Sequence, residues 1–173
     1  MPNHATPSTN VSIRLATEDD AETIHQAIMD LAVYVGEQDH AVAQMEDFRR
    51  FGFGPDAAFS CLIAETDGVF AGLSLFFPVF STWLGRPGVY VQDLYVSPEA
   101  RGRGVGEALL AATATWSRER GGVYLRLSVY ADNHNAKAFY ARLGIGWNEN
   151  EHAHAAYGAT FEALASRQAR QEG

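Results

Sequence analysis

Apolar residues along this chain fall into two rhythms. Over 11–16 they alternate with polar ones, the period of a half-buried strand, whereas Ile24, Ile28, Leu31 and Val35 recur at helical spacing. Thr17 stands before that helix as a cap, with Glu18, Asp19 and Asp20 where carboxylates oppose the positive end of the helix dipole. A second helix is predicted over about 40–51, and Gly52-Phe53-Gly54-Pro55 breaks it. Residues 59–65 and 69–77 read as strands joined by a Thr66-Asp67-Gly68 hairpin turn, and 81–88 reads as a loop. A helix is predicted from 105 to about 120, with Val105, Leu109, Ala112 and Trp116 on one face, and Gly121-Gly122 ends it. Residues 123–129 alternate as a strand. A turn at 131–135 leads to a short helix marked by Ala136, Phe139, Tyr140 and Leu143 and closed by Gly144. A last strand pair is expected near 145–149 and 153–158, then a helix over 160–170. Residues 1–10 are polar, carry two prolines and read as a loose tail. With no repeat and no linker, 11–173 reads as a single domain.

The strand over 89–96 breaks its own rhythm. Its apolar residues sit at Val89 and Val91, then at Leu94 and Val96. A regular strand keeps its parity, so the switch at Gln92-Asp93 predicts one inserted residue, a β-bulge that splays neighbouring strands and re-aims side chains. A strand with a single polar defect is the plainer alternative.

Directly after this strand comes Arg101-Gly102-Arg103-Gly104-Val105-Gly106, and a helix starts at once. Glycines let backbone N–H groups crowd around an anion, the new helix aims its free N–H groups at the same point, and arginines add forked donors. A P-loop needs Lys then Ser or Thr, but Glu107-Ala108 come after Gly106. A dinucleotide fingerprint needs a third glycine where Glu107 stands. The remaining pattern, Arg101-x-x-Gly104-x-Gly106, resembles the pyrophosphate loop of the GNAT superfamily, the acetyl-CoA-dependent N-acetyltransferases. The segment from Asp132-Asn133 through Lys137 and Tyr140 to Gly144 is similar to the Asn…Tyr…Gly stretch of that superfamily. Phe51-Gly52-Phe53-Gly54 leading to Cys61-Leu62-Ile63-Ala64-Glu65, and Ser81-Thr82-Trp83-Leu84-Gly85 before Tyr90-Val91-Gln92-Asp93-Leu94, resemble the diamine acetyltransferases of the spermidine/spermine and thialysine types.

The resemblance covers about residues 12–165. It implies an α/β (α+β) fold: a mixed, mostly antiparallel sheet of about seven strands, split at its bulged central strand and flanked by helices. It implies acetyl-CoA as cosubstrate without a metal, held by Leu94, Tyr95, Val96, the loop 101–106, Asn133, Lys137 and Tyr140. In that family the Asn bonds the pantetheine arm and the Tyr faces the sulfur. Leu94 and Val96 would pair with the pantetheine through their backbone, and the N–H of Tyr95 or a neighbour would meet the developing oxyanion. Such enzymes are commonly homodimers. This chain departs from them where Gln92-Asp93 replaces Glu-Asp, and where histidines around Glu151-His152-Ala153-His154 replace a late aromatic.

The chemistry implied is attack of an amine on a thioester, and the amine must first lose a proton. An alkyl ammonium titrates near ~10.4, so only about one molecule in ~10³ is nucleophilic at pH 7. Gln92 is no base, which leaves Asp93 acting through water as the candidate; a carboxylate that only pairs with the substrate cation is the alternative. Tyr140 is the candidate acid for the leaving thiolate, or one more aromatic of its helix stripe. Trp83 walls the amine pocket or simply packs. Glu37, Asp39, Asp93, Glu149 and Glu151 are candidate anchors for a second positive charge, or solvated surface acids. His152 and His154 fit a surface strand or a proton shuttle better than a metal, and His134 fits a cap neighbour.

Composition adds limits. The 173 residues suffice for one core, and a net charge of −8 argues against a nucleic-acid partner. The single Cys61, among apolar neighbours, reads as a buried thiol in a reducing compartment. No stretch has the length and apolarity of a membrane span or signal peptide, so the cytoplasm is expected. The expected function is acetylation of a primary amine on a diamine, polyamine or lysine-like amino acid. A protein or peptide amine is the alternative substrate, and a non-catalytic acetyl-CoA-binding module the alternative class.

Overall fold

A computed structural model describes residues 10–166. The expected tail at 1–10 lies, but for Asn10, outside the described residues. The chain divides into two compact units, one ending at Lys137 and one starting at Ala138.

The first unit is built on one five-stranded sheet in chain order: β1 (Val11–Leu15), β2 (Ser60–Thr66), β3 (Val69–Ser81), β4 (Arg86–Val96) and β5 (Leu125–Leu127). β1 to β4 run antiparallel, and β5 lies parallel to β4, so the sheet is mixed and mostly antiparallel as expected. Helices α1 (Ala21–Val35) and α2 (Met45–Gly52) cover one face, and α3 (Val105–Glu119) covers the other. On the α1 and α2 face, Ile24, Ala27, Phe48, Cys61, Ile63, Leu73, Leu75 and Tyr95 form one apolar cluster. On the α3 face, Trp116 meets Phe76 edge-on with ring centroids 5.0 Å apart. The buried Ser74 and Thr113 hydroxyls bond each other at 2.9 Å, and Thr113 donates onward to the Leu109 carbonyl, so neither is left unpaired in the core.

Local chemistry explains the boundaries. Asp67 and Gly68 both take positive φ (52° and 76°), the geometry of the two-residue turns that suit a twisted hairpin. A 3₁₀ turn over Glu18–Asp20 precedes α1, and the Asp20 carboxylate accepts the Thr17 N–H at 2.7 Å and two Arg14 N–H bonds at 2.8 Å. Cys61 is buried, and burial pushes its thiol well above the ordinary range.

Four expectations change. The helix expected over 40–51 starts only at Met45, after a separate 3₁₀ turn at Gln38–His40. The loop expected over 81–88 is a tight turn, because β3 and β4 continue their ladder out to Ser81 and Arg86. The strand expected over 123–129 is reduced to Leu125–Leu127, because its ladder with β4 stops where β4 bulges. Five strands are seen among the described residues, not seven, and none forms at 145–149 or 153–158. There the Asn148 side chain takes the Asn150 N–H at 3.0 Å, a local bond that competes with a ladder.

The second unit holds the end of α4 (His134–Arg142), a turn at Gly144 with φ of 75°, and α5 (Gly158–Ala165). The helix expected over 160–170 is present to Ala165 and is capped at Ser166, and 167–170 lie outside the described residues. No helix among the described residues is long and apolar enough to cross a membrane.

Candidate functional site

The parity break in β4 is a true bulge. Leu75 pairs with Asp93 and Phe76 pairs with Val91, so Gln92 has no partner across the ladder. Before the bulge, Val89 and Val91 are buried on the α3 face. After it, Tyr95 joins the cluster on the α1 and α2 face, and Asp93 shares its parity. The bulge has a second effect at the other edge. β5 pairs with β4 only at Val89, Tyr90 and Val91, so among the described residues no strand pairs with that edge from Gln92 onward. The sheet is split where the sequence pattern places the split.

The ladder sets the backbone orientation along the freed edge. Ser97 donates to the Ala71 carbonyl at 2.9 Å, and the Tyr95 carbonyl is turned toward Gly72, where a Cβ would collide with it. In an antiparallel ladder N–H and C=O of one residue point the same way and alternate along the strand. The Tyr95 N–H therefore faces β3. The outward groups belong to Leu94 and Val96, which moves the expected oxyanion donor from Tyr95 to one of these neighbours. The Val96 carbonyl is engaged by Arg101 Nε at 3.2 Å.

The loop after β4 has the geometry of an anion cradle. Gly102 and Gly104 hold φ of 74° and 79°, conformations that a side chain resists, and Gly104 is the N-cap of α3. A Cβ on either would meet nothing within 4 Å, so the loop borders open space. The N–H groups of Val105 and Gly106 begin α3 without helical acceptors. Arg103 is exposed, whereas the Arg101 guanidinium lies 4.7 Å over the Tyr34 ring of α1. These residues fit a pyrophosphate. The Tyr95 side chain also faces α1, its phenol 3.2 Å from Asp30, and burial with that carboxylate holds it above its ordinary range.

Asp93 is half-buried, and burial lifts its carboxyl from 3.8 to about 6. Gln92 beside it is exposed. Asn133 caps α4, its Oδ1 accepting the Ala136 N–H at 3.0 Å, and Lys137 Nζ donates to the Ala131 carbonyl at 2.6 Å. Tyr140 belongs to the second unit, where its ring stands edge-on to Phe139 and burial pushes its phenol up to about 12.

The expected substrate anchors are placed otherwise. Trp83 sits at the tip of the β3–β4 hairpin, 98% exposed. The strand from Arg86 to Asp93 separates it from Asp93 by ~20 Å or more, so it does not wall the same pocket within one chain. Glu37 binds its neighbour His40 at 2.6 Å. Asp39, Glu149, Glu151, His152 and His154 are exposed, and neither of those two histidines lies in a strand. Among the described residues no group of three or more His, Cys, Asp or Glu is placed to hold a metal.

Sequence reasoning missed the face on which Asp93 opens. Phe77 and Tyr90 stack there with centroids 5.3 Å apart, and the Tyr90 hydroxyl bonds Ser128 at 2.7 Å across the start of the split. The signal was present as parity: Tyr124, Arg126 and Ser128 alternate with the apolar Leu125 and Leu127.

Comparison with known proteins agrees with this geometry. The model of the acetyltransferase (GNAT) family matches residues 21–145. The thialysine N-epsilon-acetyltransferase of Sus scrofa is 34% identical over 143 residues, covering 78% of this chain and 84% of that protein. The Bos taurus protein of the same name is 34% identical over 142 residues, covering 78% and 83%. Among solved structures, an integron cassette protein from the V. cholerae mobile metagenome superposes with a TM-score of 0.75 at 21% identity, covering 90% of this chain and 97% of that one.

Proposed function

The chain belongs to the acetyltransferase (GNAT) family, and on that premise we propose that it moves the acetyl group of acetyl-CoA to the terminal amine of a small lysine-like molecule. The observation that carries this reading is the bulge at Gln92. It frees the β4 edge for a thioester arm and sets Asp93 beside that edge. The pyrophosphate rests on Gly102, Arg103, Gly104 and the first N–H groups of α3, with Arg101 at its side. The pantetheine lies along the outward backbone of Leu94 and Val96, and Asn133 and Lys137 flank its path.

Asp93 takes the amine's proton, directly or through water. A base at about 6 accepts that proton roughly a hundredfold more readily than one at 3.8, which is what burial contributes here. The nitrogen attacks the thioester carbon and the oxyanion is met by an outward N–H of β4. As the C–S bond breaks, Tyr140 protonates the departing thiolate and the nitrogen gives up its second proton, which through water restores the Tyr140 phenol. Gln92, exposed at the bulge, orients the amine or its water. We read residues 11–173 as one such domain, acting as a homodimer in the cytoplasm, with no metal, nucleic acid or membrane in its chemistry. Exposed apolar side chains at Trp83, Tyr157 and Phe161 support association between copies, and the lone Cys61 suits a reducing compartment.

The test is release of free CoA against a panel of diamines, polyamines, lysine analogues, aminoglycosides and short peptides, run with the native chain and with Tyr140→Phe. Turnover on small terminal amines, markedly reduced in Tyr140→Phe while acetyl-CoA still binds, is the expected result. Silence across the panel with acetyl-CoA bound would replace the enzyme by a binding module.

A further inference from the structure

One cation on the open sheet face has no assigned task. Arg126 is the register partner of Tyr90 on β5. Its neighbours Leu125 and Leu127 pair with Val89 and Val91, which are buried on the α3 face, so Arg126 projects from the face that Asp93 shares. It is exposed, and no carboxylate among the described residues forms an ion pair with it. Its guanidinium lies 5.6 Å over the Tyr124 ring. That ring in turn lies over Gly88, where a Cβ would come within 2.7 Å of it. A side chain at position 88 would displace the ring that supports the guanidinium.

β4 and β5 are parallel, so Tyr124 marks the end of this face away from Asp93. Asp93 stands three positions beyond Tyr90, about 8–10 Å along a strand shortened by the bulge. Between the two charges lies the Tyr90 ring, stacked on Phe77 and tied through its hydroxyl to Ser128. The face thus presents a carboxylate, an aromatic floor and a guanidinium, in that order.

We propose that Arg126 is the specificity-determining residue of the amine site, binding the carboxylate of an ω-amino acid whose terminal amine is delivered to Asp93. The inference rests on the acetyltransferase reading above and narrows it. An alkyl chain of four or five bonds lies across the Tyr90 ring. A planar guanidinium matches a carboxylate with two parallel N–H bonds. A diamine of the same length brings its second ammonium there with no carboxylate beside it and meets uncompensated repulsion, so one residue both attracts the amino acid and disfavours the diamine.

Lysine and cadaverine make the test, because they differ only by the carboxylate. With the native enzyme, kcat/KM for lysine should exceed that for cadaverine. In Arg126→Gln, kcat/KM for lysine should fall about 10- to 100-fold, through KM with kcat retained, the size of a lost charge-assisted bond. For cadaverine it should rise. Arg126→Lys should recover part of the lysine activity, and Arg126→Glu should move the preference further toward cadaverine. Parallel changes on both amines, or none, would overturn the role of Arg126 while leaving the acetyltransferase reading intact. A native enzyme silent on lysine and cadaverine but active on another amine of the panel would overturn the role of Arg126 alone, and silence across the whole panel would overturn both.

Discussion

Asp93 is a carboxylate placed where its ionisation costs most. Burial raises it to about 6 when folded, against 3.8 when exposed. The folded state therefore favours the protonated form. The stability this contributes is complete below 3.8 and is lost as pH rises through 6. Asp93→Asn carries no charge at any pH, so its thermal stability relative to the native chain should improve between pH 4 and pH 7, by about 1–3 kcal/mol. Parallel melting curves in urea or heat check this, and a constant difference across that range would refute it. Catalysis should move the opposite way. The native kcat/KM is expected to rise through an ionisation near 6, and Asp93→Asn to lose both that limb and most of the activity. Gln92→Glu sharpens the same point. A second carboxylate at the neighbouring exposed position disfavours ionisation of Asp93, so the limb should shift above 6, read from the pH–rate profile.

At the scale of elements, one inserted residue and two glycines do most of the positioning. Gly104 caps α3 at φ of 79° with open space around it. Gly104→Ala thus meets no clash, only the cost of ~1–2 kcal/mol for a Cβ in the left-handed region, together with a methyl group in the anion cradle. The acetyl-CoA KM should rise about tenfold or more while the fold persists, as measured by titration and by circular dichroism. The bulge and this loop were legible in the sequence because each is written in local chemistry: a parity switch at Gln92-Asp93, and glycines where φ must be positive. The hairpin at Asp67-Gly68 was legible for the same reason. The full length of β3 and β4 was not, because Phe80 and Pro87 lie in a ladder whose pairing is set across the hairpin rather than along either strand. The strands expected after Ile145 failed where Asn148 satisfies nearby backbone itself, a competition that alternation does not register. Arg126 stood in a plain strand pattern, and only the register with Tyr90 and the shared face with Asp93 give it a role.

At the scale of the whole molecule, the dimer reading has a definite physical signature. Each chain carries a formal charge of −8, so two chains repel at long range, and association has to come from apolar surface. Trp83 at 98% exposure, Tyr157 at 82% and Phe161 at 56% supply candidate anchors of the aromatic kind that dominates interfaces. Salt screens the repulsion over about 10 Å at 0.1 M and leaves apolar burial in place, so the dimer should tighten as salt is raised from about 0.02 to about 0.5 M, a range that spans that screening length. Light scattering across a dilution series is expected to give the mass of two chains, with the midpoint moving to lower concentration at higher salt. Trp83→Ser combined with Tyr157→Ser should shift that midpoint upward by an order of magnitude or more, since exposed aromatics contribute little to the fold of the single chain. A mass of one chain at every salt and concentration, with CoA release undiminished, would remove the dimer from the reading and leave the amine site as the property of a single chain.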